Sequence, residues 1–288
     1  MQTSYHHTTT EDELILQGLL YEPDNKADKL ILHIHGMGGN FYENRFLDAM
    51  SQAYTDNDWA LLVPNTRGHD IIADFPLAGE TEKYKRIGNS LEIFEECLLD
   101  LKAWIMFAEE RGYKDIVLQG HSLGAVKVAY YQAKTNDKRI SKLILASPPD
   151  MVGLAEDDKN HQKHMVLSKS MVQEGKGDTF LPDLLWDWYW LSAKTYLDFG
   201  ERGNEIDVFN TYDKQAQSIL SEISIPVLAF LGGKDDAAIM PIADALEVIK
   251  NKATACSQFD THIVEDAPHS YFGHEEEVAD LVMKWLKE

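Results

Sequence analysis

The chain has 288 residues, 44 % of them hydrophobic and 10 % aromatic, with 27 Lys+Arg against 48 Asp+Glu for a formal net charge of −21. It is too apolar to stay disordered and long enough to bury roughly three quarters of its unfolded surface without a staple, as one large domain or two small ones. The acidic balance excludes two partners: nucleic acid, whose phosphates need clustered Lys and Arg, and an anionic membrane surface.

The opening residues lack a basic stretch followed by an apolar core, and no window is long enough to span a membrane, so a cytoplasmic protein is expected. His6 and His7 are too short a run for a purification tag. Residues 13–21 read as one or two edge strands. Near-continuous apolar runs follow at 30–34, 59–63, 116–119, 143–146 and 227–231, the pattern of parallel strands covered on both faces. Between them lie helix-period segments at 41–57, 89–111, 123–136 and 241–252, with a last one at 274–287. In 89–111, Leu91, Phe94, Leu98, Leu101, Ile105 and Ala108 recur at spacings of three and four, a core-facing stripe. Strand and helix alternating in this way predict an α/β protein with a doubly wound, mostly parallel sheet. The two cysteines, Cys97 and Cys256, show no metal-ligand spacing and read as reduced thiols.

Residues 116–119 run into Gly120-His121-Ser122-Leu123-Gly124, and a helix starts near Leu123. Strand, tight Gly-x-Ser-x-Gly turn, helix is the context of a nucleophile elbow. The glycines relieve crowding at a strained turn, and the Ser122 hydroxyl is left exposed at a helix N-terminus, where the dipole favours negative charge.

From 148 to 223 the helical patterning continues without a convincing strand, which predicts a helical cap inserted between two late strands. The rest, 1–147 and 224–288, would be the core. The insertion holds Trp186-Asp187-Trp188-Tyr189-Trp190, with three of the six Trp. These rings either pack the cap itself or line an apolar pocket, and different rings can do each. His161 and His164 sit three apart there; with no carboxylate motif to complete a metal site, they read as a solvated pair.

With the elbow in this context, the chain resembles the α/β-hydrolase superfamily of serine hydrolases. Within it, the chain looks most like small intracellular carboxylesterases of the feruloyl-esterase or siderophore-esterase kind. The resemblance covers the core and not the cap. It implies two backbone N–H groups for an oxyanion: Leu123, after the nucleophile, and Met37 in the loop His35-Gly36-Met37-Gly38-Gly39-Asn40, which is similar to the family's His-Gly-x loop. His35 is then a loop-orienting residue. Asn65-Thr66-Arg67-Gly68-His69 resembles the family's Asp-x-Arg-Gly turn with Asn in place of Asp, and Arg67 reads as structural. Ala267-Pro268-His269, after a strand at 259–264, is similar to the family's His loop and makes His269 the general base.

The acid is implied after 227–231, where Asp235 and Asp236 compete. Counting forward from Pro226 selects Asp235, and counting back from Ile239 selects Asp236. Asp235 is taken, with the chain order Ser122, Asp235, His269.

The implied activity is cleavage of a small-molecule carboxylic ester through an acyl-enzyme, with no metal or organic cofactor, no nucleic-acid or membrane partner, and a homodimer left open. Alternatives on the same triad are a thioesterase, a lipase-like acyl hydrolase, an amidase or a C–C bond hydrolase. A non-catalytic ligand-binding protein of the same fold is the alternative from another class.

Overall fold

The computed structural model describes every residue except Asn44 and Thr81. Its strands are β1 (Gln2–Thr9), β2 (Ile15–Glu22), β3 (Lys29–Ile34), β4 (Ala60–Pro64), β5 (Asp74–Pro76), β6 (Tyr84–Arg86), β7 (Asp115–His121), β8 (Ile140–Ala146), β9 (Val227–Gly232) and β10 (Phe259–Val264). The helices are α1 (Phe46–Thr55), α2 (Cys97–Glu110), α3 (Leu123–Thr135), α4 (Met151–Asp157), α5 (His161–Gln173), α6 (Ala193–Gly200), α7 (Ile242–Lys252) and α8 (Glu275–Leu286). Eight strands form one sheet in the order β1-β2-β4-β3-β7-β8-β9-β10. β1–β2 and β2–β4 pair antiparallel, and the other pairs are parallel.

Strand periodicity explains the continuous apolar runs. Leu30, Leu32, Leu62, Ile116, Leu118, Leu143, Leu145 and Ala229 face a core shared with α2, α3 and α7. Their neighbours Ile31, Leu61, Val117, Ile144, Leu228 and Phe230 face a second core with α1 and α8. Both faces exclude water, so the central strands are apolar at nearly every position, and two buried exceptions, His33 and Gln119, bond to each other at 3.0 Å.

The structure departs from the sequence reading in four places. Residues 13–21 hold one strand, β2, and it is not the sheet edge, because β1 covers it, pairing from Gln2 opposite Glu22 to Thr9 opposite Ile15. β1 is Ser-, Thr- and His-rich and largely exposed, so it carries no hydropathy signal, and its polarity suits a sheet edge. The segment 89–111 becomes helical only at a 3-10 turn, Phe94–Glu96. Asn89 and Ser90 instead donate backbone N–H bonds to Asp70 (2.9 Å) and Ile71 (3.0 Å). The short pair β5–β6 was not expected. Lastly, His161 and His164 are not a solvated pair. The His164 side chain is buried, with Nε2 3.5 Å from Asp183 Oδ2, and His161 Nδ1 lies 3.1 Å from the Tyr196 hydroxyl. Helix α5 turns this side of the pair toward α6, and adjacent sequence positions do not reveal that.

Between β8 and β9 lie α4, α5, α6 and a 3-10 turn, Ile219–Glu222. Asp150 caps α4 by accepting from Gly153 N–H (2.8 Å), and Ser192 caps α6 by accepting from Thr195 N–H (3.2 Å). The hairpin turn at 185–189 is closed by two backbone bonds between Leu185 and Tyr189 (2.9 and 3.0 Å). At its tip Trp186 and Asp187 have φ of 52° and 56°. The turn sends Trp186 and Tyr189 inward and leaves Trp188 and Trp190 exposed.

Asp198 ties α6 to the entry of α2 by accepting the Phe94 N–H at 2.6 Å. Burial raises its carboxyl from 3.8 to about 6; the Phe94 bond opposes that rise and the Glu95 and Glu92 charges add to it. A carboxyl raised in the folded state contributes stability that is complete below pH 3.8 and lost as pH climbs through about 6. Asp198→Asn keeps an acceptor oxygen and removes the charge. It should match the parent near pH 4 and exceed it by roughly 1–2 kcal/mol at pH 7.5. Calorimetric melting across that range checks the sign; equal melting points at pH 7.5 would refute it.

Candidate active site

Ser122 occupies the turn between β7 and α3 with φ 56° and ψ −127°, a conformation that costs a non-Gly residue of order 1–3 kcal/mol. Contacts on both sides require the flanking glycines. A Cβ on Gly120 would lie 2.2 Å from the Gly124 carbonyl oxygen, and one on Gly124 would lie 2.1 Å from that of Ile34. The turn is therefore wedged against the end of β3, and Ser122 N–H is held by Ala146 O of β8 at 2.9 Å.

The loop after β3 packs against the same serine. A Cβ on Gly36 would meet Ser122 Cβ at 2.9 Å and Oγ at 3.4 Å, so only bare backbone fits there. His35 is buried and holds the loop. Its Nε2 accepts the Thr66 N–H at 3.0 Å, which leaves Nδ1 as the donor to Gly36 O at 2.8 Å. Burial, reinforced by the Lys127 charge, pushes its pKa well below the usual 6.5, so the ring is neutral. Tyr189 reaches in from the insertion and donates its hydroxyl to Met37 O at 3.3 Å. Among the described residues, neither Met37 N–H nor Leu123 N–H donates to a protein acceptor. The Leu123 side chain is itself buried in the core.

The loops after β9 and β10 approach closely because Gly232 leaves room. A Cβ there would sit 2.2 Å from Ala267 O, and Lys234 N–H donates to that same carbonyl at 2.9 Å. Asp235 Oδ1 accepts Ala237 N–H at 3.0 Å and lies 2.7 Å from His269 Nδ1. An acceptor-only carboxylate assigns the proton to Nδ1 and leaves Nε2 with its lone pair. Burial would raise the Asp235 carboxyl, but the hydrogen bond and charge of His269 bring it below its ordinary value. Asp236 is exposed and makes no contact with the imidazole. Of the two competing carboxylates, the structure brings Asp235 to His269.

Ser122, Met37 and His269 line one cavity of about 450 Å³ with Pro149, Met151, Leu154, Trp186, Tyr189, Asp236 and Ala237. No hydrogen bond joins Ser122 Oγ to His269 among the described residues. Such contacts often tighten only with substrate bound.

Two residues that sequence reasoning passed over hold the His269 backbone. His121 Nε2 donates to His269 O at 2.9 Å, and the Ser147 hydroxyl lies 3.2 Å from that carbonyl and 2.8 Å from Tyr271 Oη. Burial and the neighbouring His269 push His121 down to about 4, so it serves as a neutral donor. His121 fills the first variable position of the elbow motif, and Ser147 follows β8 with no motif around it. Their partner is more than a hundred residues away, so no local pattern could have marked them.

An eight-stranded, mostly parallel sheet with this strand order, and with a serine on the turn after its fifth strand, defines the α/β-hydrolase fold. This chain is a protein of that fold: residues 29–165 match the family model described as alpha/beta hydrolase fold. The match holds the Met37 loop and the Ser122 turn and stops inside the insertion, before Asp235 and His269. Similar solved structures include esterase Pf2001 of Pyrococcus furiosus (18 % identity, TM-score 0.66, 99 % of this chain and 91 % of that one). Est1E from Butyrivibrio proteoclasticus, with ferulic acid bound, is similar at 19 % identity and TM-score 0.66 over 97 % of each chain. The α/β hydrolase GrgF from Penicillium sp. sh18 is similar at 16 % identity and TM-score 0.72, over 100 % of this chain and 98 % of that one. No curated protein matches the sequence significantly. Among the described residues, no helix is long and apolar enough to cross a membrane.

Proposed function

We propose that the protein is a serine hydrolase that cleaves carboxylic esters of small molecules, with residues 148–223 acting as a cap over a core of 1–147 and 224–288. One observation carries the reading: the Asp235–His269 contact of 2.7 Å leaves the imidazole lone pair on the cavity that Ser122 also lines. The Nε2 atom of His269 takes the Ser122 proton as Oγ attacks the ester carbonyl carbon. The resulting oxyanion is held by Met37 and Leu123 N–H, each worth on the order of 3 kcal/mol in the transition state. The same proton passes to the departing alcohol oxygen as the C–O bond breaks, leaving an acyl-Ser122. Water then repeats the sequence and releases the acid. Asp235 stays ionised, fixing the tautomer and balancing the imidazolium.

The esterase among the similar folds supports an ester over the other acyl bonds. A fluorophosphonate probe tests the assignment: one adduct per chain is expected, located on Ser122 by mass spectrometry, and an unlabelled chain or an adduct elsewhere would overturn it. Asp235→Asn offers an amide donor where His269 needs an acceptor. It should lower kcat on p-nitrophenyl esters by about 10³–10⁴ at neutral pH with KM little changed. A loss below tenfold would remove Asp235 from the mechanism.

A further inference from the structure

The cavity beside Ser122 has an uneven chemistry. Its walls are apolar and aromatic, from Met37, Pro149, Met151, Leu154, Trp186 and Tyr189, and its one carboxylate is Asp236. No Lys or Arg lines it. Among the described residues, Asp236 has no ion pair or hydrogen bond. The nearest cation in sequence, Lys234, is turned to Asp266 at 2.7 Å, and the adjacent Asp235 is engaged by His269. The placement of Asp236 is also not loose. The next residue, Ala237, is held by its N–H on Asp235 Oδ1 at 3.0 Å, so the bond that orders the acid of the triad fixes the backbone carrying Asp236.

An unpaired carboxylate on the rim of an apolar cavity acts on whatever enters. Low-dielectric walls focus its field into the cavity, and a net charge of −21 leaves little positive potential to offset it. A carboxylate-bearing substrate would meet like charge there. A substrate carrying an ammonium group would meet a counter-charge, and aromatic rings such as Trp186 and Tyr189 add to cation affinity when they face it. Taking the esterase reading as the base, we propose that Asp236 is a specificity-determining residue that selects esters with a positively charged amine in the acyl or alcohol part and rejects anionic ones.

The test compares isosteres that differ only in charge. For the acyl side these are methyl 4-(trimethylammonio)butanoate and methyl 5,5-dimethylhexanoate. For the alcohol side they are 3-(trimethylammonio)propyl acetate and 4,4-dimethylpentyl acetate. Methyl hydrogen glutarate is the anionic member. Each kcat/KM is divided by the rate of hydroxide hydrolysis of the same ester, which removes intrinsic reactivity. The neutral isosteres are the more hydrophobic and gain more from the apolar walls, so a preference for the cation can come only from charge. The wild-type cation-to-neutral ratio should be at least tenfold in one pair and shrink as salt rises. In Asp236→Asn the same ratio should fall to within about threefold of unity, and in Asp236→Lys it should drop below unity while glutarate turnover rises. A wild-type ratio at or below unity in both pairs, or one that Asp236→Asn leaves intact, overturns the proposal. Failure to hydrolyse even the neutral esters would instead strike the esterase reading, so the two failures are separate.

Discussion

Replacing Ser122 with alanine is expected to abolish ester cleavage, lowering kcat by at least about 10⁴ and leaving only what the oxyanion donors and binding supply. The substitution should also leave the fold intact or strengthen it. The hydroxyl makes no hydrogen bond among the described residues, and the backbone at φ 56° is strained with either side chain. Steady-state kinetics with p-nitrophenyl acetate, paired with a melting curve, separates the two effects. An unchanged rate in a folded Ser122→Ala protein would end the acyl-enzyme mechanism. A collapsed melting point would show that the elbow depends on the hydroxyl for its structure, which the contacts give no reason to expect.

The largest expected effect on stability comes from Arg67, which is fully buried. Its guanidinium donates to Asp100 at 2.9 and 3.0 Å, to Glu96 at 2.7 Å and to Asp12 twice at 3.0 Å, and its own N–H donates to Asp100 at 2.8 Å. Asp100 is buried, and burial pushes its carboxyl up despite the guanidinium and the Lys127 charge. Arg67→Met preserves the stem and strands that charge. It should cost about 3–5 kcal/mol, which for a chain of this size is roughly 10 °C in Tm. The deficit should shrink toward acidic pH as the orphaned carboxyl takes a proton, because a folded-state pKa raised further makes stability fall as pH climbs from the unfolded value through the folded one. The double variant Arg67→Met with Asp100→Leu should recover much of the loss, since breaking half of a buried pair is worse than removing both. A loss under 1 kcal/mol in the single variant would mean that water reaches Asp100.

How much of this was legible depends on the range of the physics involved. The central strands were visible because both faces of β3, β7 and β8 are covered, which favours apolar residues on successive positions rather than on alternate ones. β1 was invisible for the opposite reason: its stability comes from backbone pairing with β2, which leaves no trace in hydropathy. The Ser122 turn was legible because its glycines answer local collisions, 2.2 Å from Gly124 O and 2.1 Å from Ile34 O. His121 and Ser147 were not, since the carbonyl they hold belongs to a loop far along the chain. The paired histidines of α5 misled because spacing along one helix does not say which neighbouring helix covers that face.

By itself, the sequence determined the α/β architecture, the helical insertion between two late strands and the turn on which a serine had to stand. Those follow from period-two and period-3.6 burial and from backbone collisions that only glycine avoids. Composition set the overall charge, but it could not say where one unpaired carboxylate would matter. The tertiary structure alone decided that Asp235 reaches His269 while Asp236 turns to the cavity, that Trp186 and Tyr189 line that cavity while Trp188 and Trp190 face solvent, and that His121 holds the His269 loop. The first two of those outcomes choose between neighbours of like chemistry. What separates them is contact with distant chain, and that information exists only once the loops have come together.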